Sequence, residues 1–141
     1  MPLLQGRTVR EVLCGLALLV LHAALEPRAL ALHRLVIGES ARFPQLLRAV
    51  YAEGWSQEAI TLIGDLLARE FPAVHWTSEL RMFAAGQFLE LLIAIPQRRS
   101  IGLGEPLSAR ELEAWAQIVV RFFMGGCRAL ASAGASQSSD E

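Results

Sequence analysis

The sequence predicts an all-α protein, a bundle of about six helices, and three observations carry that expectation. Strand signals are missing: no segment sustains period-two alternation between turn residues, and no Asn-Gly or Asp-Gly hairpin occurs. Helix punctuation recurs at short intervals instead, including two Ser/Thr-x-x-Glu capping boxes, Thr8 with Glu11 and Ser108 with Glu111. Between these marks, apolar residues return at three- and four-residue steps, the period of a helix face.

Taken in order, residues 1–7 form an N-terminal extension, and Thr8 opens a first helix that runs to about Leu25. Pro27 occupies a first-turn position, starting a second helix to about Ala41. Pro44 restarts the chain as a short third helix, closed by Gly54. Ser56 caps a fourth through Ile60, Ile63, Leu66 and Leu67, ending before Pro72. Thr77 or Ser78 opens a fifth, from about Glu79 to Ala94, which Pro96 terminates. The sixth follows Ser108 and runs to about Met124, where Gly125 and Gly126 end it. Residues 132–141 are small, polar and acidic and read as a disordered tail, leaving 8–131 as the folded domain.

At 141 residues the chain is one domain's worth, long enough to bury a core. Apolar residues make up 53% of it, and the mean hydropathy is +0.37. That excess requires a partner subunit, a ligand cavity or a membrane. Charge is nearly balanced, 13 basic against 14 acidic residues, which excludes the electrostatic footprint of a free-standing nucleic-acid binder. Cys14 and Cys127 have no cysteine neighbours at metal-ligand spacing and read as buried, reduced thiols. Arg7 and Arg10 before the apolar run from Val12 to Leu25 look like a secretory signal. Glu11 and His22 interrupt that pattern, and the run is short of the ~20 residues a bilayer needs. A buried helix is the preferred reading. The alternative is a secreted or membrane-associated helical protein with residues 1–25 as a signal segment.

The last two helices are apolar over more than one stripe. Leu80, Phe83, Ala84, Gln87, Phe88 and Leu91 recur on the fifth, with Met82, Leu89, Leu92 and Ile93 widening the face. Leu112, Trp115, Ala116, Val119, Phe122 and Phe123 do so on the sixth, with Ile118 and Val120. A helix facing only its own core needs about a 100° face, so a wider one implies a second contact surface. We assign that surface to Leu80, Ala84, Phe88, Leu112, Trp115, Ala116, Val119, Phe122 and Phe123, as the interface of a homodimer.

The segment Ala31-Leu32-His33-Arg34-Leu35-Val36-Ile37-Gly38-Glu39-Ser40-Ala41-Arg42-Phe43-Pro44 resembles the core stretch of TetR-family C-terminal domains, the AefR-like group in particular. Gln45 to Gly54, Ala84 to Leu91 and Val119 to Gly126 are similar to further segments of that group, so the likeness spans roughly residues 8 to 127. The motif also has a physical reading of its own. Glu39 and Arg42, three apart, can pair on one helix face. Phe43 can anchor the helix end in the core while Pro44 starts the next helix, and Arg34 seeks a carboxylate or a helix C-terminus. The resemblance implies an effector-binding and dimerisation domain of a cytoplasmic transcriptional regulator, with a small apolar or amphipathic effector. By position it implies pocket walls at Leu16, Val20, Tyr51, Trp55, Phe83, Gln87 and Leu91. Regulators of this type begin with a three-helix head carrying the helix-turn-helix, and nothing before Thr8 supplies one. The expectation is therefore that this chain alone does not bind DNA.

Catalytic constellations are missing from the sequence. His22, His33 and His75 lie in different segments, and no pair places two metal ligands on one helix face. There is no Gly-x-Ser-x-Gly elbow and no Walker loop; Gly102 and Gly104 lie between helices. Cys14 and His22 stand eight apart, a poor nucleophile–base spacing. We expect no enzyme, no metal, no cofactor and no membrane insertion.

Overall fold

In the computed structural model, residues 7–39, 41–45 and 57–137 are described. They form five α-helices: α1 (Val9–Ala24), α2 (Pro27–Glu39), α3 (Gln57–Glu70), α4 (Ser78–Arg98) and α5 (Ala109–Gln137). One π-helical turn, Arg99–Leu103, follows α4. Strands are absent among the described residues. The fold is all-α, as the sequence indicates. The expected helix from Pro44 to Gly54 lies, beyond Gln45, outside the described residues, as does the Ser56 cap.

Four of the five helix starts have an identifiable chemical cause. Thr8 Oγ1 accepts from the Glu11 N–H at 3.2 Å and Thr77 Oγ1 from the Leu80 N–H at 3.0 Å, satisfying first-turn donors that have no helical partner. At α5 the box closes reciprocally: the Ser108 N–H donates to Glu111 Oε1 and the Glu111 N–H to Ser108 Oγ, both at 3.2 Å. Those bonds hold the Glu111 carboxyl below its ordinary value. Pro27 begins α2 as its first helical residue.

The core is one contiguous apolar cluster. α1 contributes Val9, Leu13, Ala17 and Leu21, one residue every turn, facing α5, α4 and α3. α3 contributes Ile63, Leu66 and Leu67 and packs closely on α4. Gly64 permits that approach, because a Cβ there would come within 3.3 Å of Arg81 Cβ. Arg81 in turn pairs with Asp65 at 3.0 Å. α2 is peripheral: it buries only Val36 and leaves Leu32, Leu35 and Ile37 exposed.

Two helix ends differ from expectation. Pro96 does not stop α4 at Ala94; the helix continues to Arg98. A proline inside a helix orphans the carbonyl four residues earlier, here Leu92. The indole N–H of Trp115 on α5 donates to that oxygen at 2.7 Å and so satisfies it. Gly125 and Gly126 do not end α5, which runs on to Gln137. Cys127 is buried beyond the glycines and Ala131 packs on the core, while the Gly134 Cβ position lies 3.6 Å from the Ala73 carbonyl. Tertiary packing thus offsets a propensity cost of about 1 kcal/mol per glycine. The stretch 132–137, expected to be disordered, is therefore helical; 138–141 lie outside the described residues.

Candidate functional site

α4 and α5 are joined by a short turn and run antiparallel, so residues rising along one meet residues falling along the other. Leu92 meets Trp115, and Phe88 meets Phe123 edge to face, with ring centroids 5.5 Å apart at 73°. Past Phe88 the helices leave a half-open cleft of about 340 Å³. One wall is Leu80, Phe83, Ala84, Gln87 and Leu91, with Trp76 from the preceding loop; the other is Phe122, Phe123, Gly126, Cys127 and Leu130.

Its electrostatics are bland. The Trp76 indole N–H already donates to the Phe71 carbonyl at 2.9 Å. Burial pushes the Cys127 thiol above its ordinary value, so it stays neutral. Gln87 is solvent-exposed, and no buried side-chain polar atom among the described residues lacks a partner. The rim is more unusual: Phe122 is 76% and Phe83 62% exposed, with Leu91, Ile95, Ile118 and Leu130 exposed beside them. Arg121 and Arg128 lie roughly 100° or more around α5 from Phe122, so this outer face is uncharged from Ile118 to Leu130.

The structure redistributes the residues expected at an interface. Ala84, Phe88, Leu112, Ala116 and Val119 are buried inside the protomer, and Leu80, Trp115 and Phe123 are half-buried against its core. Only Phe122 is fully available to a partner in this arrangement. The reason is that α1 covers the inner stripe of α5, a role a count of apolar positions does not reveal. Of the expected pocket walls, Phe83, Gln87 and Leu91 do come together, in the outer cleft. Leu16 and Val20 are half-buried on α1 and do not line it; Tyr51 and Trp55 lie outside the described residues. Trp76, Gly126, Cys127 and Leu130 line the cleft unanticipated. The sequence did hold a signal for two of them, since Phe122, Gly126 and Leu130 follow at four-residue steps, but ending the helix at Gly125 hid it.

In the Arg-Phe-Pro segment, Arg34 donates to the Ser100 carbonyl in the π-helical turn at 3.1 Å, a bond to the end of a helix. Arg42 approaches Glu39 at 4.0 Å and lies 5.8 Å over the Phe43 ring. Phe43 does not anchor in the core; it is 49% exposed, and its neighbour Pro44 is exposed too. The chain turns there through Arg42 and Phe43 N–H groups that both donate to the Glu39 carbonyl, which carries the ring outward. Cys14 is half-buried rather than buried, its thiol also raised by burial, and both cysteines are free.

His22, His33 and His75 fall on α1, α2 and the α3–α4 loop, and no three metal-ligating side chains cluster among the described residues. No described helix is long and apolar enough to cross a membrane. A family model described as AefR-like transcriptional repressor, C-terminal domain, matches residues 11–126. No curated protein and no solved structure matches the chain.

Proposed function

This chain belongs to the AefR-like group of TetR-family C-terminal domains, and from that premise we propose that it is the effector-sensing and dimerisation domain of a transcriptional regulator. Domains of this family dimerise and bind small effectors, and they act in regulation of transcription. For this chain we assign the dimer to the last two helices, α4 and α5, and the effector to small apolar or amphipathic molecules. In regulators of this type operator reading belongs to a helix-turn-helix head, not to helices such as those described above. The mechanism is a population shift: an effector that binds one helix arrangement more tightly biases the spacing of two heads. The protein works in the cytoplasm and performs no chemistry on its effector.

The observation that carries this reading is the apolar outer face shared by α4 and α5, with Phe122 and Phe83 standing exposed on it. Among the described residues nothing packs over that face, whereas a symmetric partner would cover it. The place of α1 adds support: it supplies Leu13, Ala17 and Leu21 to the centre of the core, as a permanent helix of the domain does. Sedimentation velocity at micromolar concentration tests the assignment. The expected species has twice the chain's 15.4 kDa; a monomer at every concentration would contradict it.

A further inference from the structure

The α4–α5 cleft has the volume of a small-molecule site, yet its chemistry fits a different occupant. We propose that it is a socket for the Phe122 side chain of a second copy of this chain, so that each subunit of the dimer inserts one phenylalanine into the other. The inference rests on the dimerisation reading above and deepens it.

Three observations carry it. First, the cleft offers a ligand almost nothing to orient it. Its indole N–H is committed to the Phe71 carbonyl, its thiol is buried, and its one amide, Gln87, faces solvent. Effector pockets place a few polar groups inside an apolar wall, and this one does not. Second, the most exposed large apolar side chain on α5, Phe122, stands on the cleft's own rim. In a two-fold interface the same patch faces itself, so a knob beside a hole is presented to the partner's hole. Third, the surroundings are sized for a subunit. Taking ~200 Å² for a large apolar residue, the exposed parts of Phe83, Leu91, Ile95, Ile118, Phe122 and Leu130 present on the order of 600 Å². That is at the upper end of the ~300–600 Å² that the largest apolar patch of a monomer reaches, and it approaches the ~800 Å² each partner buries in a standard interface. Gly125 and Gly126 have no heavy atom within 4 Å of where a Cβ would be, so a second backbone can approach at the socket.

The test uses two variants with opposite effects on the monomer. Phe122→Ala removes the knob from an exposed position and leaves the core intact. Gly126→Leu improves helix propensity and fills the socket from a position where the new Cβ has no heavy atom within 4 Å. Both are expected to raise the dimer dissociation constant by about a hundredfold or more in sedimentation velocity, since each two-fold dimer loses two central anchors. Far-UV circular dichroism should remain that of the wild type, and Gly126→Leu should melt no lower. A wild-type chain that never dimerises overturns this inference together with the dimer assignment. A dimer unchanged by both substitutions overturns the inference alone, placing the interface elsewhere. Binding of 8-anilinonaphthalene-1-sulfonate to the intact dimer, abolished by Gly126→Leu, also overturns it, because the cleft is then a ligand pocket.

Discussion

α1 and α5 are both rich in apolar residues, and the fold uses them differently. α1 buries a single stripe, Val9, Leu13, Ala17 and Leu21, and its other side carries Arg10, Glu11, Gly15 and one large apolar residue, Leu19, to solvent. α5 buries an equivalent stripe, Leu112, Ala116, Val119, Val120, Met124 and Cys127, and then carries a second one, Ile118, Phe122 and Leu130, outward. The first stripe of each helix is accounted for by the protomer's core. The second stripe of α5 is not, and it is this stripe that the proposal above assigns to a partner subunit. Apolar content alone would have ranked α1 above α5; exposure in the fold reverses that order, with three large apolar residues outward on α5 against Leu19 on α1.

That contrast can be broken by substitution. Phe88→Ala, at a ring 1% exposed and set edge to face with Phe123, should cost about 3–5 kcal/mol of unfolding free energy by urea titration. Leu13→Ala on the inner stripe of α1 should cost about 2–5 kcal/mol, whereas Phe122→Ala on the outer stripe of α5 should change monomer stability by no more than ~0.5 kcal/mol. Similar losses at 13 and 122 would mean that the outer stripe belongs to the core after all. Between these lies the capping of α4: Thr77→Ala should cost about 1 kcal/mol, read as a lower thermal midpoint.

The smallest effect is a pH dependence at the start of α5. The Glu111 carboxyl is held below its ordinary range by the Ser108 backbone and hydroxyl, with the Arg99 charge contributing in the same direction. A depressed carboxyl contributes stability that is complete above its unfolded value and is lost as pH falls through the lowered one. The stability difference between wild type and Glu111→Gln, followed by urea titration, should therefore shrink steadily on acidification and be gone once the carboxyl is protonated.

Local chemistry was legible in the sequence wherever a cap was involved: Thr8, Thr77 and Ser108 open the helices expected of them, and Pro27 starts α2. Helix ends were legible only where nothing distant overruled them. Pro96 reads as a terminator because its cost is local, and its remedy, the Trp115 indole, comes from a residue 19 positions later. Gly125 and Gly126 likewise read as an end, since the packing of Cys127 and Ala131 is tertiary. The cleft was half legible. Phe83, Gln87 and Leu91 fall at helical spacing and do gather, but which stripe of α5 turns inward depends on α1, more than a hundred residues earlier.

Pro96 and Trp115 also constrain how this sequence can drift. With proline at 96, replacing the indole strands the Leu92 carbonyl, so Trp115→Phe is expected to be costly on its own. With alanine at 96, the backbone supplies a helical N–H to that same oxygen and the indole loses this duty. The two positions can therefore be exchanged in one order only, 96 before 115, and the order is written in a single hydrogen bond.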